Sequence, residues 1–354
     1  MIRRRAVSAT IAIAASALAA SFVIPSSALP TATAGSTATA RLDPTALPVL
    51  VDPAASLAPG ADRLNESWYL TAHVTAGRHR YAFLAHYLAV GNGQFGLTAS
   101  SVSVTDETTG WYTASNVALG PKAGLSNAPG VDIHTPNITW TGDSTQMNLV
   151  AKVPEGQISV TLRPRGPVLY NMGTGYFAMF GEPQYPNYEY AYPTIDTTGT
   201  LTLNGHTDKI SGESWFDRQW GPGPDISTGD ATWTWMNPIL PNGDKISLWS
   251  TIDKGKTATW ATVLRPDGTH TIAEATITPD TASKWTSPAT QASYITRWKV
   301  TIPGVSAALN VRAVTNNQEL TVPGPRYEGS ATVTGIYKGL PVTGICYVEQ
   351  FASR

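Results

Sequence analysis

The chain has one cysteine, Cys346, in 354 residues. No internal disulfide can form, so the core alone must hold the fold. Cys346 sits in the alternating run VTGICYVEQF, where a small buried hydrophobe fits better than a nucleophile. Charge is also scarce. Only 14% of residues are charged and the formal net charge is −1, so no nucleic-acid or anionic-membrane partner is expected. Beyond the first thirty or so residues no apolar run is long enough to span a bilayer. No H-E-x-x-H, C-x-x-C or Asp-rich calcium loop occurs. The six histidines (His73, His79, His86, His134, His206, His270) are scattered, and satisfied structural roles suit them better than metal ligation. A pair on neighbouring strands, such as His73 and His86, could touch. No G-x-G-x-x-G follows a strand. The nearest window to a nucleophile elbow, Gly212-Glu213-Ser214-Trp215-Phe216, has Phe where the second Gly is required. Neither a metal nor another cofactor is expected.

What is present begins with a targeting pattern. MIRRR is a basic start, AVSATIAIAASALAASFVI is an apolar, Ala-rich run, and A-x-A-like sites follow at Ala32-Thr33-Ala34 and Ala38-Thr39-Ala40. Together they read as a secretory signal peptide over 1–40 and an extracytoplasmic location, with no membrane span after cleavage. Residues 41–60 are rich in Pro, Ala and Thr and read as a flexible leader.

From Leu64 the pattern is β. Glu66–Val74 and Tyr81–Val90 read as paired strands around Ala76-Gly77. Asn204-Gly205 is a strong hairpin signal. Further turns are expected at Pro266-Asp267-Gly268, near Asn316-Asn317 and at Lys338-Gly339. No helical period persists for three turns. Frequent Thr, Val and Ile with closely spaced turns predict an all-β sandwich or barrel. The length after the leader exceeds one small barrel, so two domains are expected, 61–222 and 223–354, with the GPGPD cluster at 221–225 as the seam.

Eleven Trp and 14 Tyr stand against 7 Phe, a balance that suits strands and apolar pockets with polar edges. The densest cluster is GESWFDRQWG, 212–221. Aromatic neighbours would desolvate the Asp217 carboxyl and raise its pKa, making it a candidate proton donor. On a strand Trp215 shares its face and Arg218 points away. A ring beside an acid suits a substrate that becomes transiently cationic. The competing reading is structural: Asp217 bonds backbone amides or pairs with an Arg at the seam.

The segment SGESWFDRQWG resembles the W-x-D-x-x-W-G signature of the AttH/CrtC family of tandem lipocalin-like proteins. That family includes carotenoid 1,2-hydratases, kievitone hydratase-like proteins and lipocalin-like Diels–Alderases. ESWYLTAHV resembles its E-W-W-Y opening strand. The run from Tyr190 through GTLTLNG fits its approach to the signature, and RYEGSATVTGIYKGLPVTGICYVEQF fits its ending. The resemblance spans about residues 64–351. It implies two lipocalin-like (calycin) antiparallel β-domains with an apolar pocket within or between them, and gives Asp217 the role of proton donor to a C=C bond. The upstream His-x-Trp pair of the carotenoid hydratases is not evident here, and Arg218 stands where a His commonly follows the motif Asp.

Catalysis is therefore expected at Asp217, with Trp215, Arg218, Gln219 and Trp220 as neighbours. GEPQYPNYEYAYP holds Glu182, Glu189, Tyr185, Tyr188, Tyr190 and Tyr192, either as a pocket wall or as barrel packing, and of these Glu182, Tyr188 and Tyr190 are taken as candidates. Trp233 and Trp235 share a face beyond the seam, for core packing or for the cavity. Three functions fit: a hydratase or lyase acting on a C=C bond of an apolar polyene- or terpenoid-like molecule, a pericyclase that folds a linear polyene, or a non-catalytic carrier of an apolar ligand.

Overall fold

The computed structural model describes residues 48–91, 96–223 and 230–351. The signal-peptide reading lies outside them, as does part of the expected seam. Among the described residues regular structure is β-strand with short 3-10 turns. Twelve strands precede the crossover at Trp220: β1 Glu66–Ala76, β2 His79–Val90, β3 Leu97–Asp106, β4 Tyr112–Leu119, β5 Val131–His134, β6 Ile138–Gly142, β7 Met147–Val153, β8 Gly156–Pro164, β9 Leu169–Tyr170, β10 Tyr176–Ala178, β11 Pro186–Leu203 and β12 His206–Trp220. Twelve follow it: β13 Ala231–Met236, β14 Lys245–Asp253, β15 Lys256–Leu264, β16 His270–Glu274, β17 Thr276–Pro279, β18 Trp285–Thr286, β19 Ser293–Tyr294, β20 Arg297–Ile302, β21 Ala307–Ala313, β22 Glu319–Leu320, β23 Arg326–Tyr337 and β24 Leu340–Phe351.

The first set forms one antiparallel sheet in the order β4-β3-β2-β1-β12-β11-β8-β7-β6-β5, with β9 and β10 added to β11. The second forms another, β16-β15-β14-β13-β24-β23-β21-β20-β17, with β22 on β23, and β18 and β19 make a small separate ladder. The architecture is all-β, as expected. The hairpins fall where the turn chemistry puts them. Asn204 and Gly205 have φ 50 and 82, and Lys338 and Gly339 have φ 50 and 79. Both turns need positive φ at two successive positions, which Asn and Gly tolerate readily.

Each sheet curls around its own apolar core. Trp68, Leu70, Phe83, Tyr87, Val102, Trp140, Leu149, Tyr190 and Phe216 belong to the first. Met236, Leu248, Val263, Trp298, Val311, Val333 and Val348 belong to the second. A third cluster lies between the sheets and takes side chains from both, including Tyr69, Phe177, Trp215, Trp235, Trp249, Trp260 and Tyr347. Strand pleating explains the split. On β12, Phe216 packs into the first core while Trp215 faces the second sheet. Polar bonds also join the two halves: Tyr69 OH donates to Glu328 Oε2 at 2.7 Å, and Trp260 Nε1 to Asn171 Oδ1 at 2.9 Å.

Part of the expected leader is not flexible. Leu57 is fully buried, Leu50 N donates to Thr174 O at 2.9 Å, and Tyr190 OH donates to Pro53 O at 2.7 Å. The reason is Arg218. Its guanidinium is completely buried, pairs with Glu66 at 2.5 Å, and stacks 3.7 Å from the Trp68 ring centroid. Its Nε donates to Ser56 O at 2.9 Å, so the leader backbone supplies acceptors that a buried cation needs. Burial lowers the Arg218 pKa to about 10, against the raising effect of Glu66.

His73 and His86 do not meet. His73 lies opposite Ala82 and His86 opposite Tyr69 in the β1–β2 ladder, four residues apart along each strand.

Candidate active site

The pocket lies between the two sheets and has a volume of about 190 Å³. Three neighbouring strands of the first sheet supply one wall. In register, Tyr69 and Ala191 flank Asp217, while Ser67 and Glu189 flank Gln219. Alternation along the strands therefore presents Ser67, Tyr69, Glu189, Asp217 and Gln219 to one side. The other wall comes from the second sheet, where Trp235 pairs with Glu349 across β13–β24 and with Trp249 across β13–β14. Trp233, Trp235, Trp249, Arg326 and Glu349 line it. The floor is aromatic: Trp235 meets Tyr69 and Trp215 edge-on, with centroids 5.5 and 6.1 Å apart.

The turn after β12 explains the glycine that closes the tryptophan motif. At Gly221 (φ 147) an added Cβ would sit 2.5 Å from the Pro186 carbonyl oxygen. Only glycine permits that approach of backbone to backbone at the rim.

Four acids converge here, and three line the cavity: Asp217, Glu189 and Glu349. Burial pushes the Asp217 carboxyl well above its ordinary range; Glu189 adds to the rise, and the Trp215 indole opposes it. That indole Nε1 donates to Asp217 Oδ1 at 2.8 Å. Glu189 is pushed up to about 8, again mainly by burial. Its Oε2 accepts from Asn171 Nδ2 at 2.8 Å. The Trp249 indole, whose N–H is buried without a complete hydrogen bond, also favours the Glu189 anion. Glu349 accepts from Trp233 Nε1 at 2.7 Å, and burial raises its pKa while Arg326 pulls it down. Glu328, fully buried behind the wall, accepts from Tyr69 OH at 2.7 Å and from Arg326 Nε at 3.0 Å. Its carboxyl also lies well above the usual range, through burial and then Glu349. Burial and the neighbouring carboxyls favour the neutral form of these acids, and Arg326 opposes this at Glu328 and Glu349.

His86 is neutral. Burial and Arg326 hold its pKa well below the ordinary value. Arg326 Nη2 only donates, so the 3.4 Å contact makes His86 Nδ1 the acceptor. The ring proton is then on Nε2, which donates to Ser67 Oγ at 3.0 Å.

The structure sorts the expected site residues by pleat. Asp217, Gln219, Trp233 and Trp235 line the cavity. Trp215 packs beneath Asp217. Arg218, Trp220, Tyr188 and Tyr190 do not reach it: they lie on the opposite face, against the first core. Tyr188 stacks on Trp220 at 5.5 Å. Glu182 lies near the surface and pairs with Lys256 at 2.7 Å. In GEPQYPNYEYAYP Tyr188, Tyr190 and Tyr192 mark the core face, and Asn187 and Glu189, which alternate with them, mark the pocket face. Sequence reading did not select Glu189, Glu349, Arg326 or His86. The alternation around Tyr188 and Tyr190 held the signal for Glu189. Arg326 and Glu349 lie in the ending RYEGSATVTGIYKGLPVTGICYVEQF and His86 was noted only as a possible partner of His73, but nothing local pointed them to a pocket, because sheet pairing and packing bring them to the cavity.

Fold and site together define a tandem lipocalin-like β-protein with its pocket between the two halves. The AttH-like family matches the chain over residues 54–351, and the chain belongs to that family. Kievitone hydratase from Nectria haematococca has the same fold at 23% identity, with a TM-score of 0.75, covering 88% of this chain and 95% of that one. A putative AttH from Nitrosomonas europaea is similar at 17% identity and a TM-score of 0.73, covering 87% of this chain and all (100%) of the other. CghA in complex with Sch210972 matches more loosely, at 14% identity and a TM-score of 0.56, over 88% of this chain and 96% of that one. No curated protein sequence matches the chain.

Proposed function

We propose that this protein is an exported hydratase or related lyase that protonates a C=C bond of an apolar, polyene- or terpenoid-like small molecule, with Asp217 as the acid. The observation that carries the reading is a buried Asp217 carboxyl, its pKa raised by burial and then by Glu189, in a cavity walled by tryptophans. Proton transfer to the alkene leaves a carboxylate at Asp217. The Trp215 indole bond strengthens as that charge develops, which stabilises the transition state more than the ground state. The cation on the substrate is held by the faces of Trp235 and Trp249 and by the nearby acids. Export rests on the basic-then-apolar start of the sequence. The name of the kievitone hydratase neighbour supports the reaction class.

The family resemblance also includes Diels–Alderases, and one substitution separates the two chemistries. Asp217→Asn keeps the shape and the Trp215 contact but removes the proton. Hydration should fall by about 100-fold or more, whereas a shape-driven cyclisation would survive with a modest loss. Hydration by Asp217→Asn at the wild-type rate would overturn the acid role.

A further inference from the structure

Adding water to an alkene needs a second group, one that takes a proton from the attacking water. We propose that Glu349 is this second catalytic residue, acting from the wall that faces Asp217. The assignment rests on the acid-catalysed reading of the site given above. Among the four acids its position is distinctive. Glu189 stands on the same wall as Asp217, one strand away, and is tied to Asn171. Glu328 does not line the cavity, and its two oxygens are held by Tyr69 and Arg326. Glu349 is half-buried with its open side on the pocket, on the second sheet, and one oxygen is oriented by the Trp233 indole.

The charged and titratable groups facing Glu349 are Asp217 and Glu189 from β12 and β11, Tyr69 from β1, and Glu328 and Arg326 from β23. Burial raises Glu349 as it raises Asp217 and Glu189, but at Glu349 the Trp233 indole N–H and then Arg326 pull back toward the anion, whereas no cation does so at Asp217 or Glu189. The site thus separates an acid on one wall from a base on the other.

The step balances. Asp217 gives its proton to one alkene carbon and becomes a carboxylate, leaving a carbocation at the other carbon. Water forms a C–O bond to that carbon as Glu349 removes one of its protons. The proton then returns to Asp217 through Glu189, which lines the same cavity and interacts electrostatically with both acids. The net change is one water added, with no oxidant or reductant.

The test uses the full-length protein and geraniol, a small isoprenoid alkene, in D₂O. It follows deuterium in recovered geraniol and formation of the hydrated diol. Wild type should show both. Glu349→Gln should lose diol formation by about 100-fold while deuterium exchange persists, because the cation still forms and loses a proton back to Asp217. Equal loss of exchange and hydration in folded Glu349→Gln, or wild-type hydration, would overturn the assignment. Trp233→Phe keeps the ring and removes the donor. It should move the acid limb of the hydration profile upward by about one pH unit, and an unshifted limb would count against Glu349 even if the Gln variant failed to fold. If the wild type neither exchanges nor hydrates, the acid reading itself is wrong and this assignment goes with it.

Discussion

Trp215 Nε1 donates to Asp217 Oδ1 at 2.8 Å, two residues along the same strand and on the same face of the pleat. The bond favours the charged carboxylate and so opposes burial, which favours the neutral acid. Burial wins, so the Asp217 pKa stays raised, and the indole bond limits the rise. Trp215→Phe keeps the apolar contact with Trp235 and removes the donor. The Asp217 pKa should rise by about one unit and the acid should weaken, lowering kcat by about tenfold. The alkaline limb of the rate profile should move to higher pH. A kcat equal to wild type would show that the indole only packs.

The acid cluster makes stability depend on pH in a direction opposite to most proteins. Glu189 rises from 4.5 to about 8, and Asp217, Glu328 and Glu349 are also raised. Between these limits the folded state keeps protons that the unfolded chain has lost, so stability must fall as pH rises. His86 and His270 have lowered pKa values and act in the other sense below their ordinary value of 6.5. The clean window is therefore pH 6.5 to about 8. There each protonated acid contributes a slope of up to about 1.4 kcal/mol per pH unit. Denaturant midpoints across that window should fall, and Glu189→Gln should flatten the slope. A midpoint that climbs with pH would contradict the assignment of protonated acids.

The opposite face of the same strand supports the fold instead. Arg218 and Glu66 form a fully buried pair. Removing one member leaves an uncompensated charge, and Glu66→Gln should cost about 3–5 kcal/mol in urea unfolding. It should also loosen the segment around Ser56 and Ala58, whose carbonyls accept from Arg218, raising proteolysis before residue 60. The pocket acids face away from this pair, so the pH profile of activity should keep its shape. A displaced profile would mean that Arg218 tunes the site after all.

Much of the fold was legible because it depends on local chemistry. Asn204-Gly205 and Lys338-Gly339 make turns that need positive φ, and their flanks alternate with the strand period. The split between Asp217 and Arg218 also followed from alternation, since adjacent residues on a strand point to opposite faces. The same rule was open for GEPQYPNYEYAYP, but aromatic content drew attention to Tyr188 and Tyr190, which pack into a barrel core. Glu189 between them carries the polar chemistry.

By itself the sequence determined the all-β class, the main hairpins and the buried character of one acid, because each depends on residues within a few positions of one another. Only the tertiary structure decided that the acid would have company. Glu189 reaches the pocket through the pairing of β11 with β12, and Glu349 and Arg326 through the packing of one curled sheet on another, which links residues more than a hundred positions apart. Desolvation and charge repulsion act through space, so the proton-holding character of the cluster exists only once the two sheets have closed on it.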